Sequence, residues 1–314
     1  MHPPLPPQAQ AALPLRVFVQ WPRERLPARL VVNDQALLHR PGRTYRFHGA
    51  VSFRTESARV LVRGFVAARA QTRGWTVSWT TNGEAWVAAA VAGELGDQAP
   101  FEARRALASV LRLWLMAHPR GHHPDGTLCP LTHCAVIRGM GSDETAKAVA
   151  QAPDLAIRPE FAFFTGSKGG VSLSPREVWG DGPAEPGTSE RVPGDRWAVW
   201  TRHFSAAQVR SLKRSVRPGL RPGQRGLRLG ASGPFAVETL RLAAGRAFGW
   251  TAWPSNACES EPSQDGGLEL RGHGWGHNVG LDLTEATWRA RRGDSAEAIL
   301  QTAFGEWMKP NSVQ

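Results

Sequence analysis

The run from His123 to Cys134, His-Pro-Asp-Gly-Thr-Leu-Cys-Pro-Leu-Thr-His-Cys, gathers four side chains that bind borderline metals within one short segment. Thiolates of Cys129 and Cys134 with imidazoles of His123 and His133 make a donor set suited to tetrahedral zinc. The Pro-Asp-Gly turn and a second proline supply the reversals that let them meet. His122 competes with His123 for the first position, and the spacing is not the two-pair ladder of a zinc finger or ribbon. A His-rich surface loop with one buried thiol is the plainer alternative. A Cys134 nucleophile activated by His133 is disfavoured, because neighbouring side chains on extended backbone point to opposite faces. A structural zinc site is the expectation.

Glu94 is the carboxylate of most chemical interest. It closes the run Glu84-Ala-Trp-Val-Ala-Ala-Ala-Val-Ala-Gly93-Glu94, which is apolar on every side. The negative end of a helix disfavours another negative charge, and apolar surroundings do the same. Both raise the pKa toward the range of a general acid. Arg112, one helix later, is a candidate to orient it; a Glu turned to solvent is the alternative. A second candidate is Gly272–Gly280, GHGWGHNVG, where glycines alternate with His273, Trp275 and His277. Glycine lets backbone pass close to a ligand while imidazole and indole project from it. The pattern is not a phosphate-binding G-x-G-x-x-G opening a helix, and a nucleotide site is rejected. The segment Thr165-Gly-Ser-Lys-Gly169-Gly170 reads by itself as a linker.

These residues need elements to hold them. Residues 14 to 82 form a β-rich segment, with short runs at 15–20, 30–33, 44–47, 60–63 and 75–80 between turns, and predict a small antiparallel sheet. Residues 1–13 are Pro-rich and expected to be disordered. Helices are predicted from Glu84 to a stop at Gly96, and from Pro100 to Ala117 with Ala103, Leu107, Val110 and Trp114 on one face. Further helices follow Ser142, the Ser174–Glu177 capping box, and Ser205. A loop is predicted over 180–196 and strands over 225–253 and 268–273. Two helices, 283–292 and 295–304, close the chain. Helices and strands mix without a βαβ rhythm, so the fold class is α+β.

The chain has 314 residues, 41% of them hydrophobic, and a formal charge of +11 carried almost wholly by arginine. That is ample for a core, and no apolar run is long enough to span a membrane. The N-terminus lacks a positive n-region and its apolar stretch is broken by proline, so it does not read as a secretory signal. On this reading the chain is cytoplasmic or its start is truncated. The arginines are scattered, and nucleic-acid binding, resting on charge alone, is the weakest reading. Three cysteines argue against a disulfide framework and leave Cys258 as a thiol.

Together these segments resemble the SpoIID/LytB group of bacterial envelope proteins, over residues 83 to about 310. The family's Gly-Glu-Met-like helix end is similar to Gly93-Glu94-Leu95, and its arginine-bearing helix to the run around Arg112. Its His…Cys…His-Cys segment resembles His123, Cys129, His133 and Cys134. Its Gly-Gly loop before a Val-Trp helix resembles Gly169, Gly170, Val178 and Trp179. Its glycine-tryptophan signature is similar to Gly272–Gly280, with Asn278 where glycine is usual. The downstream Gln-bearing run is replaced here by Leu281–Ala286.

The resemblance implies a SpoIID-like fold in the cell envelope and a lytic transglycosylase of peptidoglycan glycan strands. Glu94 would be its single acid/base, with Arg112, Gly169, Gly170, Trp275 and His277 supporting or binding substrate around one cleft, and one structural zinc. Trp275 would stack on sugar or pack beneath its loop. The departures after Gly280 favour an alternative, a non-catalytic glycan-binding module that stimulates a cell-wall amidase.

Overall fold

The computed structural model describes residues 16–21, 26–56, 58–119, 121, 123, 125–132, 134–230 and 232–308. The Pro-rich start at 1–13 and the candidate ligands His122 and His133 lie outside them. The chain divides into two compact units, Met1–Leu155 and Ala156–Gln314. The fold is mixed α+β, with antiparallel sheets and helices in irregular order.

Among the described residues the first unit carries six strands: β1 (Val17–Trp21), β2 (Val31–Val32), β3 (Gln35–Ala36), β4 (Thr44–Arg54), β5 (Arg59–Ala70) and β6 (Trp75–Thr81). They form one sheet in the order β1-β6-β5-β4-β2-β3, with antiparallel pairing throughout. Alternation decides the buried face: Val17, Val19, Trp21, Val60, Val62, Val66, Trp75, Val77 and Trp79 are all inside. β4 and β5 run well past the expected segments, because their long cross-strand register pairs polar positions on the open face as well.

The change from strand to helix falls at 82/83, within this unit. α1 (Gly83–Leu95) is capped by Asn82, whose side chain accepts the Ala85 N–H at 2.8 Å, and stops at Gly96 with φ +82°. α2 (Phe101–Ala117) returns along it, with Trp114 stacked on Trp86 at 5.7 Å. α3 (Asp143–Ala150) is capped by Ser142.

The second unit contains a sheet in the order β11-β12-β8 and two small pairs. β8 is Trp200–Phe204, β11 Ala257–Pro262 and β12 Leu268–His273; β9 (Gly226–Arg228) pairs with β10 (Pro234–Ala236). β7 (Phe164–Thr165) runs parallel to β13 (Leu281–Asp282). The helices are α4 (Pro175–Trp179), α5 (Ala206–Ser215), α6 (Val237–Phe248), α7 (Leu283–Arg291) and α8 (Ala296–Phe304). Ser174 and Ser205 each close the capping box their sequences predict.

The strand expectation for 225–253 is corrected. Among the described residues of this stretch only β9 and β10 are strands, and 237–248 is helix. Val237, Leu240 and Ala244 are buried at i, i+3 and i+7, a helical stripe. The turn expected at Ala244-Gly falls inside α6, where Gly245 leaves room for the Trp250 ring: a β-carbon there would lie 2.3 Å from it.

Candidate functional site

In the first unit the described candidate ligands, His123, Cys129 and Cys134, sit on a loop pinned near its middle. Leu128 pairs with the edge strand β1, donating to the Phe18 carbonyl at 2.8 Å and accepting from Gln20 N–H at 2.9 Å. The expected Asp-Gly turn is present: Gly126 donates to the His123 carbonyl with φ +71°, and Asp125 accepts from the backbone and hydroxyl of Thr127. Cys134 N–H closes a second turn onto Leu131. These reversals bring one ligand atom each of His123, Cys129 and Cys134 within 4.8 Å of one another.

Both cysteines are buried thiols outside any disulfide. The Cys129 N–H donates to Cys134 Sγ at 3.3 Å. The Cys129 thiol is pulled down to about 4, chiefly by its hydrogen bond with Cys134, against burial and helped by His123. A thiol poised to lose its proton among a second sulfur and an imidazole is the chemistry of a metal site, and the residues fit a zinc-sized ion.

From Cys134 the chain passes directly across the end of α1. Gly93 has no side chain to obstruct it: a β-carbon there would lie 1.7 Å from the Val136 carbonyl oxygen. The Val136 N–H, two residues after Cys134, donates to Glu94 Oε1 at 2.8 Å. Glu94 is half-buried and its pKa lies above the ordinary carboxylate value. Burial is the main cause, offset in part by the Val136 N–H and by the charge of Arg138.

Arg112 does not orient Glu94. It pairs with Glu84 at 3.0 Å, in the first turn of α1. Ten residues of helix separate Glu84 from Glu94, about 15 Å. In an antiparallel hairpin, a residue late in α2 lies beside the start of α1, so Arg112 is at the wrong end. The cation near Glu94 is Arg138, and the group that fixes its oxygen is a backbone N–H. Neither is visible as a motif. The nearby Asp97 is committed elsewhere: it accepts from Ser142 N–H and the Thr145 hydroxyl, which with Arg104 hold its pKa below the ordinary value despite the opposing effect of burial.

The glycine-rich segment and the Gly169-Gly170 loop belong to the second unit and knit to each other. Ser167 and Trp275 exchange backbone hydrogen bonds at 2.7 and 3.1 Å. Gly169 and Gly274 meet backbone to backbone, since a β-carbon on Gly169 would sit 2.6 Å from Gly274 N. Gly276 is pressed against the Thr165 hydroxyl and Gly280 against the Phe163 carbonyl. The close approach that these glycines permit is therefore filled by the protein's own chain. Gly170 is held at φ +84°, against Arg191.

Asn278 is fully buried with φ +63°, the left-handed region that asparagine tolerates after glycine. Its Nδ2 reaches the carbonyls of Lys168, Val171 and His273, each at 3.1 Å. Asn278→Ala should lower stability by about 2–4 kcal/mol, from lost hydrogen bonds and left-handed strain together. Asn278→Gly, which keeps the conformation, should lose less. Urea unfolding of the three proteins checks that order.

Trp275 packs its ring against Trp197, centroids 4.3 Å apart, and both are half-buried. His277 is a strut. Its Nδ1 accepts the Val279 N–H at 3.1 Å, and its ring meets the stacked pair Trp179 and Phe163 edge-on. Burial is the main cause that pulls its pKa down to about 4, so it is neutral and poorly suited to proton transfer.

Sequence reading missed a buried ionic cluster here. Lys168, apparently in a linker, is wholly buried and donates to the Thr188 carbonyl at 3.2 Å. The Asp282 carboxylate accepts Lys168 N–H at 2.6 Å and caps α7 through Glu285 N–H. Burial pushes Asp282 up to about 6 and Lys168 down to about 8. Glu285 is tied to Arg289 at 2.9 Å.

The chain matches no known family model, and no curated protein is significantly similar to it. No helix among the described residues is long and apolar enough to cross a membrane.

Proposed function

We propose that the protein is a lytic transglycosylase of peptidoglycan glycan strands, with Glu94 as the single acid/base and one structural zinc beside it. The observation that carries this is the Glu94 carboxyl, desolvated at the end of an apolar helix and fixed through Oε1 by the Val136 N–H. A carboxyl whose pKa is raised by burial holds a proton for a leaving-group oxygen. It protonates the glycosidic oxygen between N-acetylmuramic acid and N-acetylglucosamine. Glu94, now carboxylate, then takes the proton of the muramic acid 6-hydroxyl as that oxygen closes onto the anomeric carbon. An anhydro end forms and the proton count balances.

A hydrolase would need a second carboxylate at a defined separation. Asp97 is engaged with Ser142 and Thr145, while Asp282 and Glu285 serve the buried cluster of the second unit. That supports one-carboxyl chemistry. The setting proposed for this activity is the cell envelope.

Zinc would be held by His123, Cys129 and Cys134, with His133 as the fourth ligand. Its chemistry is structural: four protein ligands leave no place for a catalytic water. Ligation through Cys134 would hold the loop two residues before Val136. Metal analysis of protein purified without chelator should give about one zinc per chain. Cys129→Ser should lower the melting temperature by roughly 10 °C. An apo protein of unchanged stability would end the zinc proposal.

Digestion of purified peptidoglycan tests the activity. Anhydro-ended fragments are expected. Reducing ends would mean a hydrolase. Glycan binding with stimulation of an amidase, and no fragments, would mean the non-catalytic module.

A further inference from the structure

The sheet of the first unit has one face in the core and one in solvent, and the open face has a composition of its own. On β4 and β5 the residues that point outward are fixed by alternation and by register. Arg46 stands opposite Ala67, His48 opposite Phe65, Ala50 opposite Arg63, Arg54 opposite Arg59, and Thr44 opposite Arg69. Directly opposed residues share a face. Five arginines scattered through the sequence thus converge on one surface, and all five are exposed. Arg59 is paired with Asp34 at 3.1 Å. The other four have no acidic partner at ion-pair distance among the described residues. Between residues 26 and 81 the acidic side chains are Asp34 and Glu56, and both lie in turns.

Aromatic rings cross the same face. Phe65 is paired with Thr80 on β6, and Thr80 with Phe18 on β1. His48, Phe65, Thr80 and Phe18 therefore form a row perpendicular to the strands. With neighbouring strands about 4.8 Å apart, Phe65 and Phe18 stand roughly 10 Å from each other. Phe18 is 47% exposed and Phe65 37%; Leu61, four residues before Phe65 on the same face of β5, is 45% exposed. Large rings held open to water on a strand normally cost solubility and favour edge-to-edge association.

We propose that this open sheet face binds single-stranded nucleic acid. Arginines neutralise backbone phosphates, and ring faces stack on unpaired bases. A flat β-sheet surface with aromatic side chains flanked by cations meets both needs at once. A duplex hides its base faces and gains nothing from the phenylalanines. A base-free polyanion would use only the arginines. The proposal does not rest on the glycan reading, which concerns the far end of α1 and its loop.

Anisotropy of a labelled 12-nucleotide oligo-U and oligo-dT, titrated with the full chain, tests it. Saturable binding is expected at 50 mM salt. With four or five phosphates neutralised, it should weaken roughly 50- to 130-fold on going to 200 mM. Phe65→Ala and Phe18→Ala, both at exposed positions, should each weaken it about fivefold or more. Arg63→Ser should lower the salt slope by about 0.7. Circular dichroism of each variant confirms folding. The proposal is overturned by absence of saturable binding at 50 mM salt or by a preference for duplex. It is equally overturned if inorganic polyphosphate or anionic vesicles compete as well as oligo-U while the phenylalanine variants bind normally.

Discussion

Glu94→Gln should reduce glycan cleavage by about 10²–10⁴-fold, the usual contribution of a positioned acid/base. The same substitution should leave the protein as stable as the parent at neutral pH, or more so. Glutamine keeps the shape and still accepts the Val136 N–H, so packing is unchanged. What it removes is a charge held away from water. The folded pKa of Glu94 is raised above its ordinary value of 4.5. Its contribution to stability is therefore fully present below about pH 4.5 and is lost as pH rises through the folded pKa. The gap in urea midpoint between variant and parent should open in favour of the variant as pH rises above about 4.5. A residue whose removal costs activity and gains stability is retained for function. A variant that was both inactive and unstable would point instead to a structural role.

Gly93→Ala should be the most damaging single methyl in the first unit. The new carbon would lie 1.7 Å from the Val136 carbonyl oxygen, and that neighbour is backbone, not the flexible end of a side chain. Either the loop lifts off α1 or the helix end deforms. Overpacking of this kind costs about 3 kcal/mol. Lifting the loop also withdraws the Val136 N–H from Glu94 and strains the Cys134 end of the metal cluster, so activity and zinc retention should fall together. Thermal unfolding, metal content and digestion of the one variant check all three. If Gly93→Ala keeps its zinc and its activity, the loop does not position Glu94.

Much of this was legible in the sequence where local chemistry decides structure. The Gly96 stop of α1, the Ser142 cap, the capping boxes at Ser174 and Ser205, and the Asp-Gly turn at 125–126 all follow from short-range hydrogen bonding. Glu94 stands out in the sequence because an acid at an apolar helix end is locally anomalous, and the structure shows its carboxyl desolvated there. What escaped depends on distant residues. The partner of Arg112 is set by the direction in which α2 returns, and the donor to Glu94 is a backbone N–H with no side-chain signature. α6 reads as strands in the sequence because a period of 3.6 over one short, Gly-containing stretch resembles alternation. Glycines 274 and 276 signalled close approach correctly, but the approaching body is the 165–170 loop. The arginines looked dispersed because strand register, invisible in the sequence, is what gathers them on one face.

The central claim is that Glu94 drives an intramolecular ring closure without water. Digestion of purified peptidoglycan in heavy-oxygen water, followed by mass spectrometry of the new glycan ends, tests it most directly. Anhydro ends free of heavy oxygen are expected from the parent protein, and their loss in Glu94→Gln. Heavy oxygen at the new ends, or unlabelled anhydro ends formed by Glu94→Gln at the parent rate, would contradict it.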